Sequence, residues 1–190
     1  MKLVVLKFGG TSVADVPQIK KIALKVKNEV NQGYKVIAVV SAMAGVTNNL
    51  IELAKTTTEI PYYAEYDVVL STGEQVTSAL LATVLNNLNI KARSWLGWQV
   101  PIISDKSHGN AVIEEIKTEN ILESLKKDQV AIISGFQGIT KENRITTLGR
   151  GGSDTSAVAI AAAFSAMRCD IYTDVDGVYT TDPRIVKSAK

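Results

Sequence analysis

The sequence has one cysteine, Cys169, and one histidine, His108. A lone thiol closes no internal disulfide, and with no secretory signal in view this points to a reducing, cytoplasmic setting. Four prolines, thirteen glycines and 6% aromatics exclude a collagen-like or disordered composition. Charge of one sign is scarce in excess: Lys+Arg 21 against Asp+Glu 19 leaves a formal +2, which gives no basic surface for nucleic acid. Long apolar runs are missing too. The longest is Ala157 to Phe164, against the roughly 20 residues a membrane helix needs, so no membrane span is expected. Leu3 to Leu6, interrupted by Lys7, is too short for a signal-peptide core.

What remains is 190 residues, 46% hydrophobic and 21% charged, the profile of one soluble domain with a substantial core. No repeat, low-complexity tract or linker divides it. Short β-branched runs at Leu3 to Phe8, Lys35 to Ser41, Lys91 to Trp95, Gln129 to Ser134 and Asp170 to Asp174 read as strands. Most are continuously apolar, as strands covered on both faces must be. Helical spacing separates them. Ile19, Ile22, Ala23, Val26 and Val30 follow Pro17 and precede Gly33; Val76, Ala79, Leu80, Thr83, Val84 and Leu88 form a second stripe; Ile121, Leu122 and Leu125 form a third, closed by Lys126 and Lys127. Ser153 or Asp154 is the expected cap of a fourth helix, whose Ala157, Ala159, Ala161, Ala162 and Ala163 would pack closely on a sheet. The fold class is therefore α/β, with a mainly parallel central sheet between two layers of helices.

Glycines cluster where strands turn toward helices. Gly9 and Gly10 follow the first strand, Gly45 follows the second, and Gly149, Gly151 and Gly152 precede the alanine-rich helix. That is the carboxyl edge of a parallel sheet, where helix N-termini face anions. Lys7, ending a strand of Leu, Val and Phe, is costly to bury without an anionic partner. No G-x-x-x-x-G-K-[ST] motif is present, and Gly149 to Asp154 misses the G-x-G-x-x-G spacing at its last position. Asp174, Asp176 and Asp182 lack the alternating ligands and terminal glutamate of a calcium loop. Cys169 reads as a small buried residue, His108 as a non-catalytic loop residue, and Trp95 and Trp98 as packing beneath the loop before Pro101.

Five segments, KFGGTS (7–12), SAMAGVT (41–47), LSTGE (70–74), TLGRGGSD (147–154) and TDVDGVYTTDPR (173–184), together resemble the aspartokinases of the amino acid kinase superfamily, in the same order and over nearly the whole chain. The resemblance implies an ATP-dependent, Mg²⁺-assisted transfer of the γ-phosphoryl group to the β-carboxylate of L-aspartate, at the head of lysine, threonine and methionine biosynthesis. A carboxylate with a reference pKa of about 3.9 is already an ionised nucleophile at neutral pH and needs no general base. The difficulty is bringing it to a polyanion, so catalysis is positioning and charge neutralisation.

By the same resemblance, Lys7 contacts the phosphates and Asp154 orients it, while Gly9, Gly10 and Ser12 form the phosphate loop. Thr173, Asp174, Tyr179 and Arg184 belong to the nucleotide segment; Thr47, Glu74, Arg150 and Ser153 hold aspartate, Glu74 through its ammonium and Arg150 through a carboxylate. Without the resemblance, Glu74 reads as an acid at a helix N-terminus and Arg150 as a solvated loop arginine. Residues 1–190 are expected to form an amino acid kinase domain incomplete at its C-terminus, without regulatory domains of the ACT type and without response to lysine or threonine. An exposed sheet edge would favour a homo-oligomer. Two other readings stay open: a sibling kinase with a different acidic acceptor, and a binding fragment that keeps the anion loops without turnover.

Overall fold

The five strands expected from the sequence all lie in one parallel sheet, and the expected layers of helices cover it. The computed structural model describes residues 1–58, 63–149 and 151–173. In chain order its elements are β1 (Leu3–Phe8), α1 (Val16–Asn31), β2 (Lys35–Val40), α2 (Val46–Lys55), α3 (Tyr63–Asn87), β3 (Ala92–Trp95), β4 (Ile102–Ser104), β5 (Ile113–Ile116), α4 (Glu119–Lys126), β6 (Val130–Ser134), β7 (Gln137–Ile139), β8 (Ile145–Thr147), α5 (Gly152–Ala163) and β9 (Arg168–Tyr172). The main sheet has the order β3-β6-β2-β1-β9, and a second sheet has the order β5-β4-β7-β8.

Strand alternation sorts the core into two layers. Val4, Leu6 and Phe8 of β1 pack with Ile19, Ile22 and Val26 of α1 and with Leu81 and Leu85 of α3. Leu3 and Val5 point the other way, into a cluster with Ile121 and Leu125 of α4 and Ala157, Ile160 and Phe164 of α5. Each fully buried Leu or Ile contributes about 2 kcal/mol, so this register is strongly held. Lys7 falls on the α5 side. Its lateral neighbours are Val39 on β2 and Ile171 on β9. Within the sheet no neighbour can compensate its charge.

Several local expectations change. Helix α1 begins one residue before Pro17 because Asp15 caps it, accepting the Gln18 N–H at 2.8 Å. The stripe from Val76 to Leu88 marks only the second half of α3, whose buried residues include Asp67, Ser71, Glu74, Thr77 and Ser78. That polar inward face hides its helical period. α3 is also the one described helix long and apolar enough, by length and composition, to cross a membrane. Half of its apolar stretch is buried within the fold, and Asp67 and Glu74 on its inward face suit packing against a polar site better than lipid.

Neither Ser153 nor Asp154 caps α5. The cap is Gly151, in the left-handed region at φ +75°, and both residues sit in the first turn. Among the alanines of α5, Ala157 is buried whereas Ala162 and Ala163 face outward. Trp95 is buried as expected, with the Arg93 guanidinium 3.8 Å from its ring centroid, but Trp98 is 49% exposed. Cys169 is half-buried, and burial followed by the charges of Asp170 and Asp154 pushes its thiol pKa up.

Candidate active site

Because the main sheet is parallel, β1, β2 and β6 end at one edge, and the segments that follow them line a single cavity of about 330 Å³. Its walls include Lys7 near the end of β1 and Gly10 after it, the 41–45 segment after β2, Phe136 after β6, and Gly151 to Asp154 at the start of α5. Thr47 and Asn48, in the first turn of α2, complete it beside Glu74 of α3. Two helix N-termini therefore open at this cavity, each presenting unpaired amides with partial positive charge.

Lys7 is 6% exposed, and its Nζ lies 2.6 Å from Asp154 Oδ1. The glycine cap of α5 leaves the Asp154 side chain available for this ion pair, which holds the ammonium at the cavity wall. Lysine here is a cation with a fixed direction.

Glu74 stands opposite in charge. It is 3% exposed, its Oε1 accepts the Ala42 N–H at 3.0 Å, and its Oε2 is buried with no hydrogen-bond partner among the described residues. Desolvation raises its pKa to about 7, partly opposed by the Ala42 amide. Gly73 makes this contact possible: a Cβ there would lie 2.8 Å from the Ala42 Cβ. Glu74 is neither exposed nor at a helix N-terminus. It is a buried acceptor with one oxygen unsatisfied.

Phe136 has φ +66°, a strained conformation for an aromatic residue. It is held by its N–H donating to Ser156 Oγ at 3.0 Å and by its carbonyl accepting the Leu148 N–H at 2.8 Å. Its ring lies against Gly152, where a Cβ would come within 2.7 Å of Cδ2. The strained turn and the start of α5 are thus locked together.

The expected residues divide accordingly. Lys7, Gly10, Thr47, Glu74, Ser153 and Asp154 share the cavity. Gly9 and Ser12 tie the turn after β1 to the end of β9, the Gly9 N–H and the Ser12 hydroxyl both donating to the Tyr172 carbonyl, at 3.0 and 3.3 Å. Thr173 follows there, exposed. Arg150, Asp174, Tyr179 and Arg184 lie outside the described residues. Met43, Asn48 and Phe136 were not anticipated as lining residues. A strand followed directly by glycine, the signal that singled out Gly9, recurs at Ser134 and Gly135 and could have pointed to Phe136. His108 is not in the cavity wall.

A cavity at the carboxyl edge of a parallel sheet, with two helix N-termini and a fixed lysine in its wall, suits an anionic small molecule. The amino acid kinase family matches residues 2–190, and the chain belongs to it. The aspartokinase of Rickettsia conorii is 54% identical over all of this chain and 48% of its own length. That of Geobacillus stearothermophilus is 52% identical over all of this chain and 47% of its own. The chain thus spans about half the length of these curated relatives. Among solved structures, E. coli aspartokinase III in complex with aspartate and ADP superposes with a TM-score of 0.84 at 30% identity, over 99% of this chain and 53% of that one. The aspartate kinase of Synechocystis gives 0.80 at 46%, over 98% and 31%.

Proposed function

We propose that this chain is the catalytic region of an aspartate kinase, transferring the γ-phosphoryl group of ATP to the β-carboxylate of L-aspartate. The observation that carries this reading is the pairing, in one cavity, of a fixed ammonium (Lys7 on Asp154) with a buried carboxylate that has a free oxygen (Glu74 Oε2). Such a cavity suits a ligand that is anionic at one end and carries an ammonium at the other. The complex of E. coli aspartokinase III with aspartate and ADP supports L-aspartate as that ligand.

In this reading Glu74 takes the substrate ammonium, and Thr47, Ser153 and Arg150 take its carboxylates. Lys7, steadied by Asp154, neutralises the transferring phosphoryl group, and Gly9, Gly10 and Ser12 form the loop beneath the phosphates. Thr173, Asp174, Tyr179 and Arg184 hold the nucleotide. A β-carboxylate oxygen forms a bond to the γ-phosphorus while the bond from that phosphorus to the β,γ-bridging oxygen breaks, and ADP leaves with the electron pair. No proton moves. The site's contribution is orientation and charge compensation.

Among the described residues no group of three or more His, Cys, Asp or Glu gathers to hold a metal. Mg²⁺ enters this scheme as part of Mg-ATP, held mainly by phosphate oxygens and water, as Mg²⁺ usually is with nucleotides. The product, 4-phospho-L-aspartate, fits entry into lysine, threonine and methionine biosynthesis in the cytoplasm. Hydroxylamine trapping of the acyl phosphate from Mg-ATP and L-aspartate tests the proposal. A hydroxamate that forms with wild type and vanishes in Lys7→Ala supports it; its absence under saturating substrates rejects catalysis by this chain.

A further inference from the structure

Two parts of the cavity wall, the 41–45 segment and Gly149, are both tied to α3, the second through the neighbouring Thr147. Glu74 holds the first through the Ala42 amide. Seven residues earlier, about two turns away on the same side of the helix, Asp67 holds the second. Asp67 is fully buried and accepts the Thr147 hydroxyl at 2.5 Å and the Gly109 N–H at 3.0 and 3.2 Å, and His108 Nδ1 lies 2.7 Å from it. A carboxylate is an acceptor only, which assigns the proton to His108 Nδ1.

From Thr147 the restraint passes directly into the glycine-rich segment. The Ala111 N–H donates to the Thr147 carbonyl at 3.0 Å. Asn110 Oδ1 sits so close to Gly149 that a Cβ there would lie 2.0 Å from it. Residues 108–111 thus form a wedge between α3 and the 147–149 backbone. Asp67, His108 and Thr147 are all absent from the cavity wall.

We propose that Asp67 and His108 are positioning residues for the acceptor half of the site: they set the segment leading to Arg150 and Ser153. This rests on the reading that the cavity takes L-aspartate. The phosphate side hangs mainly on β1 and β9 and reaches α5 only through the Lys7–Asp154 pair, so the two substrates respond differently when the wedge is loosened.

The test uses the full chain as wild type, His108→Ala, His108→Asn and Thr147→Val. His108→Asn keeps a side-chain N–H near the position of Nδ1, and Thr147→Val guards against a folding defect peculiar to position 108. Amide hydrogen exchange is read without ligand, and affinities for L-aspartate and Mg-ATP are read by calorimetry. His108→Ala and Thr147→Val are expected to speed exchange at 147–153 and leave 41–46 unchanged. They should lower L-aspartate affinity by about tenfold, as a sub-ångström misplacement would, and change Mg-ATP affinity less than about twofold. His108→Asn should restore both. Unchanged exchange at 147–153, or equal losses for the two substrates, overturns the proposal. Altered exchange in a protein whose wild type binds no L-aspartate supports the positioning role and overturns only the acceptor reading.

Discussion

Lys7 Nζ and Asp154 Oδ1, 147 residues apart in sequence, meet at 2.6 Å and join the carboxyl end of β1 to the first turn of α5. Neither partner has another role visible in the fold: Lys7 interrupts an apolar strand, and Asp154 leaves the capping of its helix to Gly151. The pair sets a cation at the cavity wall.

Removing the cation should therefore end turnover. Lys7→Ala is expected to lower kcat by about a thousandfold, the upper range for losing one preorganised charge-stabilising group. Asp154→Asn should lower kcat by about tenfold to a hundredfold with little change in KM, because it frees the ammonium without removing it. Steady-state kinetics with both substrates saturating checks each variant. Equal activity in Asp154→Asn would show that the ion pair does not orient Lys7 for chemistry.

Glu74 makes stability depend on pH with a definite sign. Its folded pKa, about 7, stands above the unfolded value near 4.5, so the unfolded chain gives up this proton more readily. The stability this group contributes is fully present below about pH 4.5 and is lost as pH rises through about 7. Glu74→Gln keeps an acceptor for the Ala42 amide and removes the buried charge. It should stabilise the protein at pH 8 by on the order of 3 kcal/mol relative to its effect at pH 4.5, while abolishing L-aspartate binding. Denaturant unfolding at the two pH values measures the difference.

Gly73 and Gly152 are among the glycines required by close approach. In Gly73→Ala the new methyl group meets the Ala42 Cβ, and in Gly152→Ala it meets the Phe136 ring and Leu148. Each should cost about 1 to 3 kcal/mol of stability by overpacking. Gly73→Ala should also weaken L-aspartate binding, because it pushes away the backbone that Glu74 holds. Thermal unfolding with parallel calorimetry checks both effects.

How much of this was legible in the sequence depends on length and on period. Strands β1, β2 and β6 are apolar runs of five or six residues, long enough to be read, and Lys7 stands out because it breaks one of them. Ile102–Ser104, Ile113–Ile116, Gln137–Ile139 and Ile145–Thr147 are three or four residues each, too short to show alternation, so the second sheet went unread. Helix α2 was missed because it buries none of its residues. The first half of α3 was missed because its inward face carries Asp67, Ser71 and Glu74, where a packing helix ordinarily places Leu and Val. Those polar residues are what the site is built upon. In the site, the motif resemblance named Lys7, Gly10, Thr47, Glu74, Ser153 and Asp154, and the fold sets these around one cavity. The strained Phe136 and the Asp67–His108 contact depend on long-range packing that no local pattern encodes.

The central claim is that the cavity between Lys7 and Glu74 holds L-aspartate by both its charges. Calorimetric titration at pH 6 and pH 8, with succinate as the ligand lacking an ammonium, tests it most directly. With a Glu74 pKa of about 7, the ionised fraction rises about tenfold between these values. L-Aspartate should therefore bind about tenfold more tightly at pH 8 in wild type, and neither succinate nor the Glu74→Gln variant should show that gain. L-Aspartate binding that is independent of pH and matched by succinate would contradict the account.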